Sequence, residues 1–184
     1  MIINAVKHFK TICKHKFYVA KYCFKAGLFI QGILHDLSKF SPTEFVEGVK
    51  YYQGTRSPID ACKEKNGVSI AWLHHKGINK HHYEHWQDNF DSGTTHLVMP
   101  FKYALELICD NLGAGNAYLG DKFTLQGELD WWKNRNKNGH IAMADATWHF
   151  VDCMFKTLAK EDNTNVLKKE RAYKIYRACI KKYN

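Results

Sequence analysis

Apolar residues return every three or four positions through most of this chain, the period of an α-helix, and no alternating apolar–polar run is long enough to predict a strand. At about 100° per residue, Ile2, Val6, Phe9, Cys13, Phe17, Ala20 and Phe24 form one apolar stripe of a first helix. Lys7, Lys10, Lys14, Lys21 and Lys25 gather on a different arc that must face water. His15 falls on neither. It shares a second, semi-apolar arc with His8, Val19, Tyr22 and Ala26, which points it inward or into a cleft. Gly27 is a natural stop, and a second helix from about Leu28 is expected to carry His35, Asp36 and Lys39.

Punctuation sets the next elements. Ser41-Pro42-Thr43-Glu44 reads as a capping box with proline in the first turn, opening a helix that runs to about Gln53-Gly54. Ser57-Pro58-Ile59-Asp60 repeats the device for a helix ending near Asn66-Gly67, and 68–76 has helical spacing again. Asp91-Ser92-Gly93-Thr94-Thr95 reads as a loop, and Pro100 opens a helix with Tyr103, Ala104, Leu107 and Ile108 at core spacing. Gly113-Ala114-Gly115 lacks the strand and the Gly-Lys-Ser/Thr ending of a phosphate loop, so small residues for close helix packing explain it better. Thr124 caps a helix with adjacent Trp131 and Trp132, about 100° apart, so that one is core and the other lines a rim. A helix from His140 to about Lys160 and a last one after Asn165 complete the chain. The fold class expected is all-α, a helical bundle.

Composition narrows the class. A chain of 184 residues with 45% hydrophobic and 14% aromatic content can bury one real core. Six cysteines stand singly, with no Cys-x-x-Cys pair, as core thiols in a reducing compartment do. No apolar run reaches the roughly 18 residues of a membrane span, and the lysine-scattered N-terminus has no signal-peptide core. A cytoplasmic protein without a membrane partner is expected. The net charge of +9 is uneven: residues 1–25 carry +6 with no acid, 166–184 carry +6, and the middle carries −3. The basic terminal helices suit a polyanion or an anionic substrate, and they leave room for nucleic acid or a homo-oligomer.

The chemistry begins at Ile33-Leu34-His35-Asp36-Leu37-Ser38-Lys39, where a histidine and a carboxylate interrupt an apolar run. Imidazole nitrogen and carboxylate oxygen are what a divalent metal accepts, and buried charges persist when paired or coordinated. Further candidates keep them company. His15 lies upstream, Asp110 stands in the apolar run Ala104–Asp110, and five histidines crowd into twelve positions from His74 to His85. Two histidine pairs flank Gly77-Ile78-Asn79, and one ligand is expected from each pair. His75 and His82 are favoured, with His74 and His81 as alternates, while His8 and His85 read as supporting residues behind the ligands.

The order His, His-Asp, His, His, Asp resembles that of the HD-domain superfamily of metal-dependent phosphohydrolases. His15-Lys16-Phe17-Tyr18-Val19-Ala20 resembles its His-x-x-x-Val-Ala, His35-Asp36-Leu37-Ser38-Lys39 its His-Asp-x-x-Lys, and His81-His82-Tyr83-Glu84 and the Asp110 helix complete the match. The spacing from His81-His82 to Asp110 is similar to that of HD-GYP cyclic-dinucleotide phosphodiesterases, but the Gly-Tyr-Pro element is absent, so that specificity does not carry over. The run from His8 to Trp132 also resembles a small uncharacterised bacterial and phage family within or near the superfamily.

The resemblance implies an HD-like domain over residues 1–160, with 161–184 a basic helix packed on or appended to it. It implies hydrolysis of a phosphate ester of nucleotide type. One divalent transition metal (Mn, Fe, Ni, Co or Zn) would be held by His15, His35, Asp36 and Asp110, and a second by the downstream histidines, with Asp36 bridging. Asp36 and Lys39 are the expected catalytic residues, and Lys39, Arg56, Lys76 and Asn79 the expected contacts to substrate. Two other readings fit the same residues: a diiron oxygenase with this ligand order, and a non-catalytic basic module binding nucleic acid or a partner around a structural metal.

Overall fold

The computed structural model describes residues 2–184 and is an all-α helical bundle with one small hairpin. Its helices are α1 (Ile2–Lys25), α2 (Phe29–Leu34), α3 (Pro42–Tyr51), α4 (Pro58–Asn66), α5 (Ile70–Ile78), α6 (Phe101–Leu119), α7 (Leu125–Arg135), α8 (Asp145–Glu161) and α9 (Lys169–Tyr183). Strands β1 (Gln87–Phe90) and β2 (Gly93–His96) pair antiparallel between α5 and α6, in a stretch where no strand is expected from the sequence. They are short, polar and largely exposed, so the ladder carries no apolar alternation by which to announce itself.

The core is built on α1, α6 and α8, with Val19, Leu105, Ile108, Leu112, Phe150, Met154 and Phe155 essentially inaccessible. α1 and α6 approach closely because Gly113 has no side chain: a Cβ there would lie 2.4 Å from Val19 Cγ2 and 3.0 Å from the Val19 backbone nitrogen. The small-residue reading of Gly113 thus has a physical basis, and the contact brings the middle of α1 level with Asp110. Trp132 is buried and donates to Asp152 Oδ1 at 3.2 Å, while Trp131 is exposed. α9 packs on α8, and Tyr176 donates from its hydroxyl to the Met99 carbonyl at 2.8 Å.

The buried face of α1 is the semi-apolar arc, His8, Ile12, His15, Val19, Tyr22 and Cys23. The more apolar stripe faces out, with Ile2, Val6, Phe9, Phe17 and Phe24 all exposed, and Cys13 with them. Of the other cysteines, Cys23, Cys62, Cys109 and Cys179 are buried and Cys153 is half-buried.

The largest departure from the expected helices is at the His-Asp pair. α2 stops at Leu34, His35 is extended at φ −48°, ψ 127°, and Asp36 takes the left-handed conformation at φ 54°, ψ 26° before a 3₁₀ turn over Leu37–Phe40. In a continuous helix the two side chains would diverge by about 100°; the break lets them converge. A non-glycine residue held at positive φ costs on the order of 1–3 kcal/mol and persists where its surroundings over-determine it. α8 begins five residues later than expected, because His140 lies in the preceding loop and stacks on Trp148 with ring centroids 3.5 Å apart. No helix among the described residues is long and apolar enough to cross a membrane.

Candidate metal centre

Two donor sets meet at Asp36. The first joins His15 from α1, His35 and Asp36 from the broken turn, and Asp110 from α6. His15 Nε2 lies 3.2 Å from Asp36 Oδ2 and 3.1 Å from Asp110 Oδ1. His35 Nε2 lies 3.3 Å from each of the same two oxygens and 3.4 Å from His15 Nε2. The second set joins Asp36 to His75 at the end of α5 and to His81 and His82 in the link that follows. Asp36 Oδ1 lies 3.3 Å from His75 Nε2 and 3.4 Å from His81 Nε2, and the Nε2 atoms of His75 and His82 are 2.9 Å apart.

These separations test whether an ion fits. Around a cation with donor bonds of about 2.1 Å, neighbouring donors stand about 3.0 Å apart in an octahedron and about 3.4 Å in a tetrahedron. Both sets span that interval. Asp36 Oδ1 and His81 Nε2 are moreover buried without a hydrogen-bond partner, a costly condition for polar atoms unless something coordinates them.

Two glutamates aim the rings. An ionised carboxylate only accepts, so the imidazole Nδ1–H groups donate: His35 to Glu106 Oε1 at 3.0 Å, His74 to Glu44 Oε1 and His75 to Glu44 Oε2, both at 2.7 Å. His81 Nδ1 stands 3.3 Å from the same Glu106 oxygen. Each such bond leaves the Nε2 lone pair of His35 and His75 facing its donor set, the arrangement by which a carboxylate behind a histidine fixes its tautomer. Glu44 is the fourth residue of the expected capping box. Ser41 Oγ does accept from the Glu44 amide at 3.4 Å, but the Glu44 side chain turns inward to the histidines.

Burial opposes every charge here, and opposite charges answer it. Burial alone would raise the Asp36 and Asp110 carboxyls; nearby His35, Lys39 and His75 hold Asp36 well below the usual carboxylate range, and bonds from His15 and His35 do so for Asp110. Burial would likewise lower His35, but Asp36, Asp110 and Glu106 raise it well above an ordinary imidazole. His82 goes the other way: burial and the adjoining His81 and His75 push it well down, which keeps it neutral and ready to donate a lone pair. Lys39 is lowered by burial and raised more by Asp36 and Asp110, and its ammonium stands 2.5 Å from Asp36 Oδ2.

Two cavities of about 190 and 210 Å³ flank the centre and share Ser57, Ile59, Trp72, His82 and Asp110 as a common wall. Lys39 lines the first, with His15 and His75. The other expected substrate contacts lie elsewhere. Arg56 forms a two-toothed ion pair with Glu64 at 2.5 Å, both exposed. Asn79 donates to Ser38 Oγ at 2.8 Å and to the His75 carbonyl at 2.9 Å, which ties the end of α5 to the Asp36 turn. The Lys76 carbonyl accepts from His85 Nδ1 at 3.1 Å, and neither residue joins a donor set. His74, an alternate ligand, is occupied with Glu44 outside both sets, whereas His81, the other alternate, joins the second beside His75 and His82. His8 packs against Phe45 and Tyr52, and burial together with Lys39 lowers it to about 4, so it stays neutral.

Glu44 and Glu106 were not singled out by sequence reasoning. Glu106 carried a signal, since it precedes Asp110 by four residues and therefore shares its face of α6. Neither a curated protein nor a solved structure matches the chain. A family described only as one of unknown function, DUF5662, matches residues 4–157, from the first turn of α1 into the last turns of α8, and the chain belongs to that family.

Proposed function

We propose that this protein is a metal-dependent phosphohydrolase of the HD type that cleaves a phosphate ester, with a nucleotide or a nucleotide-derived ester as the expected substrate. The observation that carries the reading is Asp36, whose two carboxylate oxygens each belong to a different set of buried donors. A carboxylate shared in this way suits a pair of cations about 3.5–4 Å apart, the spacing used to hold both oxygens of an in-line phosphoryl displacement. When bound, such cations supply Lewis-acid polarisation of the phosphoryl group and a water of lowered pKa.

The chain's own residues do the rest. His15, His35 and Asp110 orient the first donor set, and His75, His81 and His82 the second, with Glu106 and Glu44 fixing ring tautomers. The Lys39 ammonium, in the cavity wall and raised in pKa by the surrounding carboxylates, stays protonated and offers positive charge to a phosphoryl oxygen. Trp72 and Ile59 narrow the cavities on either side and limit water around the reacting group.

The test is metal content by mass spectrometry on protein purified without chelator, wild type beside Asp36→Asn, together with phosphate release from a panel of mono- and diesters. Up to two transition-metal ions per chain and hydrolysis, both lost in the variant, are expected. Metal without hydrolysis of any ester would leave the site and sink the hydrolase reading. Bound iron whose absorption changes under dioxygen would redirect it to oxygen chemistry.

A further inference from the structure

The outward stripe of α1 does not stand alone. α2 lies against α1, since a Cβ on Gly32 would come 2.9 Å from Cys23 Cβ and 3.0 Å from the Phe24 ring. This close seating continues the stripe sideways into Phe29, Ile30, Ile33, Leu34 and Leu37, which are 59, 70, 61, 55 and 49% exposed. Phe24 meets Phe29 with ring centroids 5.6 Å apart, and Phe9 meets Phe40 at 5.7 Å, so the two rows form one face. Monomeric proteins rarely show water so many contiguous large apolar side chains.

One edge of this face is positively charged. Lys7, Lys10, Lys14, Lys21 and Lys25 run along one edge, all exposed and none paired with a carboxylate among the described residues. Lys16 is excluded from the edge because its ammonium bonds the His35 carbonyl. No Asp or Glu occurs before Asp36, which is buried. At the far end Lys169 adjoins Gly27 and prolongs the positive border.

We propose that this face of α1 and α2 is a docking surface for an anionic lipid membrane. A second copy of the chain is a poor occupant: a two-fold pairing would set the lysine edge against itself or against α2, which has no charge to receive it. The side chains protrude instead of lining a groove, which suits a fluid surface that conforms to them better than a shaped protein partner. An in-plane helix of 24 residues, about 36 Å long, with Phe, Ile and Val outward and lysines at its edge is the pattern of a peripheral membrane contact, the lysines reaching up to lipid phosphates. No spanning helix is required, so the absence of one from the sequence does not bear on it.

Vesicle flotation tests the proposal, using the full chain with phosphatidylcholine vesicles with and without phosphatidylserine. Binding is expected to the anionic vesicles only, to fall with added salt, and to weaken roughly a hundredfold when Lys10, Lys14 and Lys21 are all changed to Gln. Phe17→Gln with Ile30→Gln should weaken it by roughly tenfold or more. All five positions are exposed, and unchanged thermal melting shows that the variants fold. Failure of wild type to float with anionic vesicles overturns the proposal, leaving an acidic protein as the better partner. Concentration-dependent dimerisation abolished by the Phe17 and Ile30 pair also overturns it. Neither readout depends on the metal centre.

Discussion

The two donor sets share one residue and are otherwise built by different means. The first is carried by long helices: His15 in mid-α1 and Asp110 in mid-α6 meet because Gly113 lets those helices close on each other. It holds two carboxylates and two imidazoles. The second is local, drawn from the end of α5 and the four residues after it, and adds three imidazoles to the shared Asp36. Its rings are held by the hydrogen bond that His75 donates to Glu44 and by Glu106 beside His81, with Asn79 tying the end of α5 to the Asp36 turn, not by helix packing. Carboxylates suit harder cations and imidazoles softer ones, so the sets are expected to differ both in the ion they prefer and in what disturbs them.

Asp36→Asn is the change that breaks both at once. It removes a charge that each set uses and takes one counter-ion from both His35 and Lys39, so loss of both ions and of any activity is expected by metal analysis and ester hydrolysis. Gly113→Ala should separate the sets. A methyl group 2.4 Å from Val19 Cγ2 forces α1 from α6, which should cost about 3 kcal/mol in urea unfolding. The first ion should weaken far more than the second, read by calorimetric titration on the folded variant. Equal weakening would show that the second set also depends on the helix pair.

The same contrast explains what could be read in the sequence. The first donors were legible because His15 sat on an arc apart from both the lysines and the apolar stripe and Asp110 stood inside an apolar run, and long helices obey a fixed angle per residue. His81 and His82 follow the end of α5, where backbone angles such as φ −83°, ψ 129° at His82 belong to no regular period. Both therefore reach the centre, and no face argument could choose between them. The buried side of α1 was only partly legible for a related reason, since the His15 arc reads as inward but the outer stripe reads as no less apolar. Its inner arc carries His8 and His15, so it scores as less apolar than the outer stripe, and periodicity alone cannot tell a functional interior from a wet surface. The overall helical class survived these errors because the spacing of Ala104, Leu107 and Ile108, and the serine caps before Pro42 and Pro58, are local signals that the structure keeps.

Substitution of the supporting glutamates sharpens the comparison with a smaller effect. The histidines that Glu44 bonds, His74 and His75, lie outside the first set, so Glu44→Gln should weaken the second ion alone, by about 10–100-fold. Glu106 stands behind His35 and His81, one from each set, so Glu106→Gln should weaken both by a similar factor. Titration calorimetry distinguishes these outcomes, and an equal effect of both variants on both ions would mean that the sets act as one.

Glu128→Gln should touch neither set of donors and change only how stability follows pH. Glu128 is buried on α7 beside Gly115 of α6, and burial, helped by the negative charge of Asp110, raises its carboxyl to about 8. In the unfolded chain the same group ionises near the ordinary 4.5. Between those values the unfolded chain has released a proton that the native protein retains, so wild-type stability falls as pH rises, by at most about 1.4 kcal/mol per pH unit from this group. Below about pH 4.5 both states are protonated and the contribution is fully present. Glutamine keeps the shape and cannot ionise, so variant and wild type should unfold at similar urea concentrations at pH 5 and diverge in favour of the variant by pH 8. A cation in the first set would offset the Asp110 charge, so added metal should narrow the divergence. If it did not, Glu128 would be responding to burial alone, and the first set would be electrostatically closed to its own helix neighbours.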